Sequence, residues 1–93
     1  MSTVTGFSNN YGLFNDNAKA VFGSGEDLQL SHDGSHSYIT NTTGSIYVQA
    51  KSGENAIRVV PDGEVALFHN NVEKFSTSSS GITVTGTVSD SKG

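Results

Sequence analysis

Two histidines four residues apart, in the stretch "LQLSHDGSHSYITN" (residues 28–41), are the residues whose types and spacing most invite a chemical reading. Imidazoles at His32 and His36 could ligate a divalent metal such as Zn²⁺, Ni²⁺ or Fe²⁺, most simply if three copies of the chain brought His32 to a common axis. Alternation through Leu28, Gln29, Leu30 and Ser31 puts His32 on the Leu28 and Leu30 face. Asp33-Gly34 then reverses the chain, so His36 does not have to share that face. The spacing that suits a threefold metal site, His-x-His on one strand, is absent. The stretch is therefore read as a structural corner, with Gly34 at φ > 0 mattering more than either imidazole. His32 and His36 stay as the candidate ligands, and no metal or cofactor is assigned.

Other chemistry-bearing groups read in the same way. Asn15-Asp16-Asn17 offers oxygens to Ca²⁺, but no bidentate Glu follows at the spacing of a calcium loop, and an Asx-turn explains the same residues. Glu26, Asp27, Glu54, Asp62, Glu64 and Glu73 would have to face one another across a sugar-sized groove to hydrolyse a glycan. Short strands in 93 residues leave little material for such a groove, and "GSG" at 23–25 is not a nucleophile elbow. No enzyme activity is expected. Tyr11, Tyr38, Tyr47 and Phe68 are the aromatics expected to face outward. Tyr11, Tyr38 and Tyr47, beside Asn and Ser, could stack on a sugar of a host-cell receptor, or pack across strands or between chains. The Asn41-Thr42-Thr43 sequon has no secretory context to give it meaning.

The elements that must position these residues are short strands. Turn chemistry recurs about every nine residues, at Asn9-Asn10, Asn15 to Asn17, Gly23 to Gly25, Asp33-Gly34, Asn41 to Gly44, Ser52-Gly53, Pro61 to Gly63, Asn70-Asn71 and Ser78 to Gly81. Gly and Asn tolerate the φ > 0 that tight turns demand. Between them runs period-2 alternation. Leu28 and Leu30 oppose Gln29 and Ser31. Ile46, Val48 and Ala50 oppose Tyr47, Gln49 and Lys51. Ile57 and Val59 oppose Arg58, and Val65 and Leu67 oppose Glu64, Ala66 and Phe68. Ile82, Val84 and Val88 oppose Thr83, Thr85 and Thr87. No window carries helical spacing, so the chain is all-β. Val48 and Val59 are placed inward, and Gln49 is placed where a substitution would be silent.

Composition limits what such strands can bury. Apolar residues make up 33% of the chain, while Gly, Ser, Thr and Asn (11, 14, 9 and 8) supply 42 of its 93 residues. Buried area at roughly 25 cal/mol per Å², set against ~1.5 kcal/mol of ordering entropy per residue, leaves a lone domain of this size near zero. Without Cys there is no disulfide to help, so oligomerisation is the expected route. Three chains about one axis would turn two apolar residues per strand into six per layer. The expected architecture is an elongated intertwined trimer, β-helix- or β-prism-like, with a monomeric β-solenoid or small sandwich as the alternative. Its axial core is expected to be Leu28, Leu30, Ile39, Ile46, Val48, Ile57, Val59, Val65, Leu67, Ile82 and Val84. A net charge of −4 with five scattered basic residues argues against nucleic acid as partner. No run is long enough to insert in a membrane, and "MSTVTGFSNN" lacks the features of a secretory signal.

The most specific stretches, "GEDLQLSHDGSHSYI" and "SSSGITVTGTV", resemble the repeating unit of tail-fibre-like structural proteins of marine tailed bacteriophages. Residues 17–88 follow that unit in order, and "TVTG" at 3–6 returns at 83–86. One departure is His36, where the family usually has Asn. The resemblance implies that residues 1–93 are a single β-rich fibre module acting as a homotrimer in the virion's host-attachment apparatus, made in the host cytoplasm. A receptor-binding module recognising a host cell-surface glycan or protein is the alternative. The resemblance supplies no catalytic residues.

Overall fold

The computed structural model describes residues 4–8 and 11–90. The expected turn at Asn9-Asn10 lies outside the described residues. The described chain is all-β, with every ladder antiparallel and formed between strands adjacent in sequence. Main-chain contacts divide it into two compact units, Met1–Thr43 and Gly44–Gly93, where length alone implies one module.

The first unit holds a hairpin of β1 (Val4–Ser8) and β2 (Tyr11–Phe14), and a three-stranded sheet of β3 (Lys19–Phe22), β4 (Leu28–His32) and β5 (Ser37–Asn41). In the sheet Ala20 pairs with Leu30 and Leu30 with Ile39, while Phe22 pairs with Leu28. Residues paired across a ladder point to the same side, so these side chains share one face and Lys19, Val21, Gln29, Ser31, Tyr38 and Thr40 share the other. His32 pairs with Ser37 and continues the Leu28 and Leu30 face, as alternation predicts.

The second unit is a five-stranded meander of β6 (Ile46–Lys51), β7 (Glu54–Val59), β8 (Val65–His69), β9 (Val72–Ser78) and β10 (Gly81–Val84). Two of its hairpins are closed by two-residue turns whose chemistry suits them. Asn70 and Asn71 sit at φ 48° and 66°, and Gly53 of the Ser52-Gly53 turn sits at 81°. The ladder aligns Ile46 with Val59, Val48 with Ile57, Ile57 with Leu67, Val59 with Val65, Leu67 with Phe75, Val84 with Phe75 and Ile82 with Thr77. One face of this sheet is thus largely apolar across all five strands, with Thr77 among its members and His69, paired with Val72, at its end. The other carries Tyr47, Arg58, Ala66, Ser76 and Thr83.

One reading of this unit changes. β10 stops at Val84, because Gly86 takes φ 107° and turns the chain away; Val88 is 71% exposed and off the strand. Gln49 carries hydrogen bonds that alternation does not foresee. Its amide nitrogen donates to Asn55 Oδ1 (3.0 Å) and its amide oxygen accepts the Gly53 N–H (3.2 Å), which ties the β6–β7 hairpin together.

The described residues enclose very little interior. Among the described residues only Ala18 and Ala66 are buried apolar side chains. A domain normally closes one hydrophobic core between packed layers, and here the large apolar groups stay open to solvent.

Candidate functional site

The Asp33–His36 corner is built by its own main chain. Asp33 N–H donates to the His36 carbonyl (3.0 Å). Asp33 Oδ1 accepts the N–H groups of Ser35 (2.9 Å) and His36 (2.8 Å), an Asx-type turn. These donors favour the ionised carboxylate, so the His36 and then the Ser35 N–H hold the Asp33 carboxyl below its usual value, with smaller help from Tyr38 and His32. Gly34 takes φ 101°, as expected, and a Cβ there would lie 3.3 Å from Asp16 Oδ2.

His32 Nδ1 is 2.9 Å from the Ser37 hydroxyl, its cross-strand partner, and the His32 carbonyl accepts the Asn17 N–H at 2.8 Å. Asn17 itself is left-handed (φ 69°), and Ala18 N–H donates to Asn15. The two histidines and the Asn15–Asn17 segment are therefore knitted into one corner. Among the described residues no group of three or more His, Cys, Asp or Glu side chains is gathered as a metal ion requires. Beside the corner, Phe14, Ala18, Ala20, Leu30, Ser31 and His32 line a shallow, mainly apolar cleft of about 280 Å³.

Asp27, Glu54, Glu64 and Glu73 are engaged by hydroxyls or cations. Asp27 Oδ1 accepts the hydroxyls of Thr42 (3.2 Å) and Thr43 (3.0 Å). On the polar face of the five-stranded sheet, the chain's one arginine binds two acids. Arg58 donates through Nε and Nη2 to Glu64 Oε2 (3.2 and 2.7 Å) and through Nη2 to Glu73 Oε1 (2.8 Å). Its guanidinium lies 5.2 Å from the centre of the Phe68 ring, within cation–π range. Glu64 first, and then Glu73, raise the Arg58 pKa above its usual value. Phe68, expected to face outward, is instead half-buried against this cation. The arrangement ties both glutamates to one guanidinium on the polar side of the sheet. A second open cleft, about 430 Å³, lies among Asp62, Gly63, Glu64, Thr77, Ser78 and Ser79.

All eleven residues expected in an axial core fall on the two apolar faces. Leu28, Leu30 and Ile39 share the face of β3–β5. Ile46, Val48, Ile57, Val59, Val65, Leu67, Ile82 and Val84 share that of β6–β10. Sequence reading missed Phe75 and Phe22, which complete these faces; "EKFST" offers one apolar residue and so no alternation to read. It also missed the Arg58 cluster, whose acids are six and fifteen residues distant. Of the tyrosines proposed as receptor contacts, Tyr11, Tyr38 and Tyr47 are all exposed, and Tyr38 also contributes to the Asp33 corner. No described helix is long and apolar enough to cross a membrane. No protein-family model, no curated protein and no solved structure matches this chain.

Proposed function

We propose that this chain is a structural module of a phage tail fibre, a shaft or connector in the host-attachment apparatus, working as a homotrimer in the virion. The observation that carries this reading is the exposure of large apolar side chains on ordered sheet faces: Ile39 is 70% and Ile82 61% exposed in the single chain. Monomers rarely leave contiguous apolar patches beyond a few hundred Å² uncovered. A module that completes its core only on assembly suits a fibre, and the likeness of residues 17–88 to the tail-fibre unit supports the same reading. The mass in solution tests it. Three copies of 9.7 kDa give 3 × 9.7 ≈ 29 kDa, with a melting temperature that rises with concentration. A cooperative melt at the single-chain mass would remove the proposal.

The second reading, a receptor-binding module, is favoured by the exposure of Tyr11 and Tyr47. A host-cell or glycan-array binding assay separates the two, because a pure shaft binds nothing there.

A further inference from the structure

The five-stranded sheet has two unlike faces. On one, Arg58, Glu64, Glu73 and Phe68 satisfy each other around the fully buried Ala66. The other runs apolar from Ile46 to Val84, with His69 beside Val72 at its end, and its members are left open: Val48 is 49% and Leu67 43% exposed.

We infer that this apolar face is the surface on which copies of the chain meet, sheet face against sheet face, with the Arg58 face turned to solvent. The inference rests on the proposed self-association and goes further by naming the surface. Three considerations select it. First, a sheet with one apolar face has to place that face against another layer, and the chain's own residues leave it exposed. Edge-to-edge pairing through the outer strands β6 and β10 would satisfy main-chain groups but leave the face wet. Second, the charge distribution permits it. A chain of net charge −4 resists self-association through its carboxylates, and here the ionic cluster lies on the opposite face. Third, the area fits a shared core. Five strands spaced ~4.8 Å apart, each about five residues long at ~3.4 Å per residue, give a flat footprint of roughly 400 Å². That is about half of the ~800 Å² per partner of a standard interface. It is the contribution expected of one sheet within a larger closed assembly, not of a lone pairwise contact. Identical apolar faces also pack well on each other, since aligned sheets interdigitate at about 10 Å.

The absence of cysteine makes the test clean. Tyr47→Cys and Val48→Cys place single thiols on neighbouring residues of opposite faces, 53% and 49% exposed in the single chain. Maleimide labelling rates are measured for each at high concentration and after dilution, with the mass followed in parallel. At a concentration where the mass shows roughly a tenth of the chains dissociated, Val48→Cys should react about tenfold slower than when diluted. Tyr47→Cys should react equally fast in both conditions. Leu67→Cys repeats the measurement should Val48→Cys fail to fold. Assembly lost in Val48→Cys but kept in Tyr47→Cys supports the same surface. An intact oligomer in which Val48→Cys and Leu67→Cys label as fast as in the dilute chain overturns the inference while self-association stands. Protection in a dimer keeps the surface and removes the trimer. A single chain at every concentration removes both.

Discussion

The chain uses the dipeptide Asp-Gly twice, and the two copies do different work. At Asp33-Gly34 the glycine is the left-handed residue, at φ 101°, and the aspartate side chain closes the turn on two main-chain N–H groups. At Asp62-Gly63 the roles are exchanged. Asp62 takes φ 54°, and Gly63 stays outside the left-handed region. The turn is closed by main chain, through Val60 N–H to the Glu64 carbonyl (3.0 Å) and Gly63 N–H to the Val60 carbonyl (3.1 Å). Glycine is needed at both places, for different reasons. Gly34 supplies a conformation that L side chains rarely adopt. Gly63 supplies room, since a Cβ there would lie 2.9 Å from Val60 Cγ1. A dipeptide therefore announces a turn without saying which residue bends it or what the side chain does.

The largest effect expected from this contrast is at Gly34. Gly34→Val puts a β-branched side chain in the left-handed region and against Asp16, and should cost ~1–3 kcal/mol per chain. Thermal unfolding measures it. A variant as stable as the parent would mean that the corner does not depend on that backbone conformation. At Gly63 the obstacle is a neighbouring methyl, so the loss should be smaller and repairable. Gly63→Ala is expected to cost ~1 kcal/mol by overpacking. Removing Cγ1 in Gly63→Ala/Val60→Ala should recover part of it, as a double-mutant cycle can show. Two additive losses would place the strain in the backbone, as at Gly34.

The smallest effect concerns the two aspartates and their response to acid. The folded-state pKa of Asp33 is depressed by the His36 and Ser35 N–H groups. Its contribution is therefore fully present above the unfolded carboxylate value of about 3.9 and is lost as pH falls through the lower folded value. Asp33→Asn keeps an oxygen acceptor but removes the charge, so the melting temperature should drop slightly at neutral pH and the acid limb should flatten. Asp62→Asn should leave both unchanged, because Asn tolerates the left-handed conformation as Asp does. Equal acid limbs in the parent and Asp33→Asn would show that the carboxylate does not hold the corner.

The same contrast separates what was legible in advance. Strand alternation was legible because the side-chain period of a strand is two, and each short run sorts its own residues onto faces whatever its partner. That is why the eleven apolar positions fell on two faces, and why His32 was placed with Leu28 and Leu30. Phe75 was missed because β9 was not recognised as a strand. Val88 was wrongly aligned because alternation does not register the bend at Gly86. The Arg58 cluster was hidden for a stronger reason. The register shift between Leu67 and Phe68 sets Glu73 opposite Phe68, and bulges of this kind depend on how two strands meet, not on either strand alone.

The amino-acid order by itself determined the turns, the all-β class and the segregation of each strand into apolar and polar sides, because these depend on φ/ψ preferences and on a local two-residue period. The tertiary structure alone decided which residue of each Asp-Gly pair is left-handed, that Arg58 gathers Glu64, Glu73 and Phe68, and that described apolar side chains such as Ile39, Val48 and Ile82 are exposed in the single chain. Those outcomes depend on ladder register and on the closeness of atoms far apart in sequence, such as Asp16 beside Gly34, which no local preference encodes.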